Sequence, residues 1–246
     1  MEQYKLHNLL LTTLVCKAYD PGNKFSIPFQ YSACGIGVDT SKVKNFKKSW
    51  SLLFDEKYKG KISMLDDIRY GMVPALKTLG YSLNTTNETE LSHVRDLLLR
   101  QKSLVRAYTS DTYIDLLKSG EVWIAYGYTG DIYQAIKENS NIVYFIPEEG
   151  SALAVESMCI LKGAKNKKTA EQFMNYILEP QVDADIVNHT QYATPNDSAK
   201  QFINPKILND ENIFPGNSVF LKSEYIRDLG KANLLYDKLW TEIKTK

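Results

Sequence analysis

Short apolar runs alternate with helical segments between residues 61 and 147, and this alternation limits the possible folds more than any other feature of the chain. The apolar runs KISML, SLVRAY, EVWIAYGY and NIVYFIP have strand length and are rich in β-branched and aromatic residues. The segments between them, such as NETELSHVRDLLLRQK and TGDIYQAIKEN, have apolar residues at helical spacing. Strands that alternate with helices predict an α/β domain.

Turn and cap residues suggest where several helices begin and end. DIRYGMVPALKTLG predicts a helix bent at Pro74 and ended by Gly80, because proline disrupts a helix interior and glycine favours the position after its end. Asn87 or Thr89 is expected to be the N-cap of the following helix. A shorter helix is expected at 50–54.

Further strand and helix patterns follow the alternating region. ALAVESMCIL predicts a strand, and NKKTAEQFMNYILE and PQVDADIVNHT predict two helices. The last segment, KANLLYDKLWTEIK, predicts an amphipathic helix with one apolar face. The apolar residues expected on that face are Leu234, Leu235, Leu239 and Trp240.

The N-terminus has an apolar run, LLLTTLVC, that we interpret as part of an amphipathic helix at 9–17. A signal peptide is a poor match, because Glu2 accompanies Lys5 and no small-residue cleavage site follows. Val15 before Cys16 does not fit a lipoprotein leader. No later stretch approaches the length of a membrane span.

Composition and motifs exclude several functional classes. Thirty basic residues against 29 acidic ones give a net charge of +1, which does not suit binding to a nucleic-acid backbone. The chain has no Walker, GxGxxG, GxSxG or HExxH motif, so no enzyme class is indicated. Scattered cysteines and histidines predict neither a metal site nor a disulfide framework, and we expect the cysteines to be small buried apolar residues. The cysteines are Cys16, Cys34 and Cys159, and the histidines are His7, His93 and His189.

Carboxylates and tyrosines at the ends of the predicted elements are the candidate binding residues. Asp66 and Asp67 follow a strand, and either is expected to cap the next helix or to anchor a ligand. Tyr126 and Tyr128 alternate on one strand face, where they suit core packing or an aromatic wall. Glu156 lies in an apolar strand and is expected to need a cationic partner. Carboxylates together with aromatic rings favour a small organic cation as ligand.

Four blocks of the sequence resemble, in order and spacing, the spermidine/putrescine-binding proteins of polyamine ABC importers. The blocks are DPGNKFSIPFQYSACGIGVDT, YKGKISMLDDIRYGMVPALKTLGYSLNTTN, EEGSALAVESMCILKGAKN and YATPNDSAK. The resemblance implies an α/β, two-lobed, type II periplasmic-binding-protein fold that closes over its ligand. It places residues 1–31 and 154–202 in the first lobe and residues 32–153 and 203–246 in the second. The family has a signal peptide and roughly another third of a mature protein before the matching region, so the first lobe is expected to be incomplete.

The same resemblance implies the ligand-binding positions. Asp67 matches an aspartate that receives a ligand nitrogen, and Glu156 stands where an aspartate holds an amine. Tyr128 replaces a stacking tryptophan, and Tyr70 replaces an acidic residue one helical turn after Asp67. Two further positions differ in chemistry from the family: Ala154 replaces a second tryptophan and Ile226 replaces an amide. Either Tyr126 or Trp123 is expected to restore some aromatic surface.

The resemblance implies a non-enzymatic role and no cofactor. The chain is expected to be the substrate-binding component of a polyamine importer, a monomer in the periplasm that delivers spermidine or putrescine to an inner-membrane ABC permease. The substituted positions put tight spermidine binding in question and favour a shorter diamine or another small cation. Two alternatives stay open: a solute-binding protein for a different ligand, such as an anion or a metal chelate, and a shortened chain that binds no solute.

Overall fold

The computed structural model describes residues 20–245, so the helix predicted at 9–17 lies outside the described residues. Within that range there are seven strands: β1 (Ile27–Asp39), β2 (Ile62–Met64), β3 (Val105–Tyr108), β4 (Ile124–Tyr128), β5 (Ile142–Phe145), β6 (Ala152–Met158) and β7 (Glu224–Tyr225). The α-helices of the same range are α1 (Val73–Thr78), α2 (Glu88–Lys102), α3 (Tyr113–Lys118), α4 (Thr129–Glu138), α5 (Lys167–Ile177), α6 (Pro180–Thr190), α7 (Pro205–Leu208), α8 (Asn217–Lys222) and α9 (Asn233–Thr245). Short 3₁₀ helices occupy Trp50–Phe54, Glu56–Tyr58, Tyr70–Met72, Asp197–Phe202 and Gly230–Ala232.

The predicted alternation of strands and helices is confirmed, and the strands form a mixed sheet. β2 lies between β3 and β4 and runs parallel to both. β1 pairs antiparallel with β4 on one side and with β5 on the other. The parallel strands β2 and β4 are buried on both faces, which accounts for their continuous apolar sequence.

β1 is one strand of 13 residues, and Ser32 lies within it between two apolar runs. Ser32 is itself buried and extended, so the serine does not interrupt the strand. The second part of β1 pairs Cys34 with Tyr128 of β4 and Ile36 with Phe145 of β5. The strand is therefore continuous through the position at which a lobe crossing is expected.

Two compact units divide the chain. One contains the described residues up to Ser32 together with Ala154–Phe214, and the other contains Ala33–Leu153 and Pro215–Lys246. The segment 203–214 groups with the first unit, whereas the resemblance puts it in the second lobe. Asn188 of α6 holds this segment, since its Oδ1 accepts the Asn204 N–H at 2.8 Å. The assignment of the two units to the family's lobes stays a prediction.

Pro74 does not bend a helix, so that prediction is wrong. The 3₁₀ helix Tyr70–Met72 precedes α1, and Pro74 occupies the first turn of α1. A proline is tolerated there because the N–H groups of the first turn have no partner within the helix. The predicted ends are confirmed: Gly80 follows α1 with φ +74°, and Asn87 caps α2 by accepting from two backbone N–H groups.

The C-terminal helix α9 packs on its unit through a face that partly differs from the predicted one. Leu239 and Trp240 are buried as predicted, but Leu234 is 69% exposed. Tyr236 and Ile243 complete the buried face instead. Residues three or four positions apart share a helix face, and Leu234 is two positions before Tyr236.

The core of the second unit contains Cys34, which is 0% exposed and confirms the prediction of a buried apolar cysteine. Cys159 is exposed, so the same prediction is wrong for it, and Cys16 lies outside the described residues. Cys159 follows β6, where the strand pattern has ended. Within residues 20–245, no helix combines the length and the hydropathy that a membrane crossing needs.

Candidate functional site

The carboxyl ends of β2 and β4 bring the sequence-predicted residues of the second unit together. The two strands are parallel neighbours, with Ile62 opposite Ile124 and Ser63 opposite Ala125. The loop that leaves β2 therefore lies at the same sheet edge as Tyr128, the last residue of β4. Ligands of α/β proteins commonly bind at this edge of a sheet.

Asp67 is half-buried in the loop after β2, and its carboxylate accepts two backbone N–H groups at the start of the following 3₁₀ helix. Its Oδ1 accepts the backbone N–H of Arg69 at 2.9 Å and that of Tyr70 at 2.7 Å. The hydrogen bonds expected of a capping aspartate are therefore present, although Arg69 and not Asp67 occupies the N-cap position. Among residues 20–245, no hydrogen bond reaches the other oxygen, Oδ2, and no Lys or Arg nitrogen lies within 4.0 Å of the carboxylate. One carboxylate oxygen is thus held by the backbone while the second can accept a further donor.

The neighbouring Asp66 has a different environment. Its Oδ1 forms an ion pair with the Lys244 ammonium at 2.9 Å, and that ammonium also lies 4.6 Å from the centre of the Tyr108 ring. The Asp66 N–H donates to the Ser110 hydroxyl at 3.1 Å. The protein itself therefore supplies the cation that Asp66 binds.

Tyr70 and Tyr128 form an aromatic surface beside Asp67. Their ring centres are 5.7 Å apart and the rings meet edge to face at 69°. Burial raises the pKa of the Tyr128 phenol well above its ordinary value, and the Cys34, Tyr70 and Asp67 groups raise it further. Tyr128 therefore remains neutral at physiological pH and is a donor and acceptor close to the Asp67 carboxylate.

Tyr126 is 0% exposed and packs in the core, as one of the two sequence interpretations predicts. Its ring meets Trp50 edge to face at 5.2 Å, and its hydroxyl donates to the Tyr70 carbonyl at 3.0 Å. Tyr126 therefore supports the backbone of Tyr70 from inside the unit.

Sequence reasoning missed Arg69, whose half-buried guanidinium fixes the loop that contains Asp67. Burial lowers the pKa of Arg69, and the nearby Tyr236, Asp67 and Asp228 groups oppose this effect. The guanidinium lies 4.2 Å from the centre of the Tyr236 ring. An arginine beside a predicted carboxylate is no distinctive signal in sequence, because its acceptors lie far away along the chain.

Tyr113 and Asp131 were also missed, and they hold Tyr128 from behind. The Tyr113 hydroxyl donates to Asp131 Oδ2 at 2.7 Å and accepts the Tyr128 N–H at 3.1 Å. A Cβ at Gly127 would lie 2.2 Å from Cε2 of Tyr113, so glycine is required for this approach. Gly127 between two tyrosines was the available sequence signal.

The remaining predicted residues lie elsewhere. Glu156 and Ala154 belong to β6, in the part of that strand that groups with the first unit. Glu156 is exposed, so burial gives it no need for a cation, and its predicted cationic partner stays a prediction. Ile226 follows β7 in the second unit, is partly buried and packs against the core of that unit.

Residues 20–245 contain no candidate metal site. The His, Cys, Asp and Glu side chains of residues 20–245 form no group of three or more that could hold a metal ion. The site of the second unit therefore offers a carboxylate oxygen, two phenols and aromatic faces. These groups can bind a small cation with apolar methylene groups.

Comparison with known proteins agrees with this chemistry. A putrescine/cadaverine-binding protein of Pseudomonas aeruginosa is 31% identical over 244 residues, which cover 94% of this chain and 69% of that protein. The spermidine/putrescine-binding periplasmic protein of Escherichia coli is 31% identical over 229 residues, covering 93% of this chain and 66% of the relative. The chain spans about two thirds of the length of these relatives.

Solved structures show the same fold. The spermidine/putrescine ABC transporter substrate-binding protein of Streptococcus pneumoniae matches with a TM-score of 0.83 at 29% identity, over 92% of this chain and 70% of that one. A Treponema pallidum lipoprotein matches with a TM-score of 0.84 at 28% identity, over 94% and 72%. The predicted α/β, periplasmic-binding-protein-like fold class is thereby confirmed.

The family model of the bacterial extracellular solute-binding proteins matches residues 7–215. This family is defined by solute binding and not by a chemical reaction, in agreement with the lack of catalytic motifs in the sequence. The chain belongs to the bacterial extracellular solute-binding protein family.

Proposed function

We propose that this chain is the substrate-binding component of a polyamine ABC importer and that its site in the second unit binds an ammonium group. Relatives that bind putrescine, cadaverine or spermidine by name support the proposal. By the same reasoning it acts as a monomer in the periplasm, without a cofactor, and delivers its ligand to an inner-membrane permease.

The observation that carries the proposal is the difference between the two carboxylates after β2. Asp66 has a lysine partner at 2.9 Å, whereas the donors that reach Asp67 from residues 20–245 are only backbone N–H groups, both on one oxygen. A half-buried carboxylate with a remaining acceptor gains most from a cationic donor, because hydrogen bonds to charged groups contribute about 1.5–3 kcal/mol.

The aromatic surface beside Asp67 suits the rest of an alkyl amine. An ammonium group near the face of Tyr70 or Tyr128 gains about 0.5–2 kcal/mol, depending on desolvation. The same rings cover methylene groups, whose burial contributes about 0.8 kcal/mol each. An anion would be repelled by Asp67, so the alternative of an anionic ligand is disfavoured at this site.

A short diamine is the proposed preference. Tyr70 replaces an acidic side chain of the resembling family, Ala154 replaces an aromatic one, and Ile226 replaces an amide, so fewer polar and aromatic groups are available for a longer polyamine. Glu156 remains the proposed partner of an amine, and its exposed carboxylate is chemically competent for this role. A Glu156→Gln variant that binds diamines as tightly as the unmodified chain would remove this residue from the proposal.

Isothermal titration with putrescine, spermidine and the uncharged diol of the same chain length as putrescine tests the proposal. We expect putrescine to bind and the diol to give no heat. Asp67→Asn removes the negative charge, and we expect it to weaken putrescine binding by about tenfold or more. Asp66→Asn is the matched control, since Asp66 already has a lysine partner, and it is expected to change affinity by less than about threefold.

The alternatives predict different outcomes. Equal weakening by the two Asn variants would mean that Asp67 is no specific anchor. A folded chain that binds no amine at all would favour a different ligand or a chain without solute-binding activity. Binding of an anion that survives Asp67→Asn would contradict the polyamine proposal directly.

A further inference from the structure

Arg69 connects the loop of Asp67 to two other segments of the second unit. Its guanidinium donates to four oxygen atoms: Leu83 O at 3.0 Å, Asn84 Oδ1 at 3.2 Å, Arg227 O at 3.0 Å and Asn233 Oδ1 at 3.3 Å. The planar, rigid donor arrangement of arginine allows one side chain to satisfy acceptors on both sides, which a lysine ammonium cannot reproduce. Residues 67–70, 83–84 and 227–233 are thereby held at fixed separations.

Asn84 is the second member of this connection. Its Oδ1 accepts from Arg69 and also from the Arg227 N–H at 2.8 Å, while its Nδ2 donates to the Tyr225 carbonyl at 2.9 Å. Asn84 thus binds the backbone on both sides of Ile226. The two side chains, which we call the Arg69–Asn84 brace, link the segment of Asp67 to the segment of Ile226.

The backbone around Ile226 is therefore connected to the loop that contains Asp67. Asp67 accepts the backbone N–H of Arg69, and the guanidinium of the same residue reaches the backbone at Arg227. A shift at one end is transmitted to the other through these two residues. β7 is only two residues long, so the strand itself contributes little to holding this segment.

We infer that the Arg69–Asn84 brace determines the diamine length that the site prefers, by fixing the separation between Asp67 and the Ile226 segment. Neither side chain is assigned a contact with the ligand, so both are positioning residues. The inference rests on the proposed function, since it assumes that Asp67 receives an ammonium group and that Ile226 is near the ligand. It adds a residue-level cause for selectivity among diamines.

The experiment compares affinities for diamines with three, four and five carbons in the unmodified chain and in Arg69→Lys. Lysine keeps the charge and loses the ability to bind four acceptors. We expect putrescine affinity to fall by about tenfold, and the ratio between the four-carbon and five-carbon diamines to change by about threefold or more. Arg100→Lys is the matched control: Arg100 is exposed and, within the described part of the chain, its guanidinium makes no hydrogen bond.

A purely structural role for Arg69 would reduce stability and leave the length ratio unchanged, and this result would overturn the inference. Asn84→Ala provides an independent measurement if Arg69→Lys does not fold, because the shorter side chain removes the contacts on both sides of Ile226 and leaves the guanidinium in place. Asn84→Ala is expected to change the length ratio, and an unchanged ratio in this variant would likewise overturn the inference. If the unmodified chain binds no diamine, the proposed function fails first, which separates the two failures.

Discussion

At the scale of single residues, the adjacent aspartates Asp66 and Asp67 have different binding partners. The Asp66 carboxylate forms an ion pair with Lys244 of the C-terminal helix. The Asp67 carboxylate accepts a hydrogen bond from the backbone of its own loop. The difference lies in the partners: Lys244 reaches Asp66, whereas the N–H groups of Arg69 and Tyr70 reach Asp67. One residue therefore stabilises the unit while the other remains able to bind a ligand.

The first prediction concerns the aromatic surface at Tyr128. Tyr128→Phe keeps the ring and is expected to retain putrescine affinity within about threefold, whereas Tyr128→Leu removes the π face and is expected to weaken binding by about tenfold. Isothermal titration of both variants measures the difference. Equal losses in Phe and Leu would indicate that the hydroxyl, and not the ring, binds the ligand.

The second prediction concerns Asp183 on α6, a carboxylate that the proposed function does not use. Asp183 is 1% exposed, and burial raises its pKa from 3.8 to about 6, although hydrogen bonds from Thr194 and Asn196 lower it. The folded chain therefore binds a proton more tightly than the unfolded chain. The favourable contribution is complete below pH 3.8 and is lost as the pH rises through about 6.

Urea unfolding over this pH range in the unmodified chain and in Asp183→Asn measures the effect. Asparagine stays neutral and can still accept from the Thr194 hydroxyl, which lies 2.7 Å from Asp183. We expect the stability of the unmodified chain relative to the variant to fall as the pH rises toward and past about 6. Parallel pH profiles would show that Asp183 does not titrate in this range.

At the scale of elements, the five residues of β4 contribute both to the core and to the candidate site. Tyr126 points into the core, Tyr128 ends the strand at the site, and Gly127 between them leaves room for the Tyr113 ring. The Tyr113 hydroxyl then binds the Tyr128 N–H. The small residue is thus what allows α3 to support the end of β4.

The third prediction follows from this packing. Gly127→Ala places a methyl group against the Tyr113 ring, and such overpacking typically costs about 1–3 kcal/mol of unfolding free energy. Gly216→Ala is the matched control, because a Cβ there has no atom within 4 Å and its φ of −73° suits alanine. Chemical denaturation of the two variants makes the comparison, and equal stabilities would show that Tyr113 can move without cost.

At the scale of the whole chain, ligand binding and stability are linked. The chain has a net charge of +1, so its overall charge does not attract a cationic ligand and the affinity must come from local groups. A ligand that binds only the folded chain stabilises it in proportion to the logarithm of its concentration.

The fourth prediction uses this linkage. Putrescine at a hundredfold excess over its dissociation constant is expected to raise the unfolding free energy by about 2.7 kcal/mol. At the same concentration Asp67→Asn, with its affinity reduced about tenfold, should be stabilised by only about 1.4 kcal/mol. Denaturation with and without the diamine measures it, and equal stabilisation of the two proteins would mean that putrescine acts at another place.

Much of the fold could be predicted from local sequence. The strands that became β2, β4 and β5 have continuous apolar runs, and the ends of α2 follow from its cap residue. Two predictions about helices were wrong because the sequence does not show tertiary contacts. Pro74 lies in the first turn of α1 and does not bend it, and Leu234 lies outside the packed face of α9. Local propensity does not reveal which side of a helix its neighbours will cover.

The sequence by itself determined the alternating α/β order, the family resemblance and the identity of Asp67 and Tyr128 as candidate site residues. Only the tertiary structure decided that Lys244 neutralises Asp66, that Tyr126 is core, and that Arg69 reaches Asn84 and Arg227. Charges and hydrogen-bond partners far apart in sequence become neighbours only when the sheet edge and the C-terminal segments fold together. For that reason the chemical types at the site could be predicted from residues, but their partners could not.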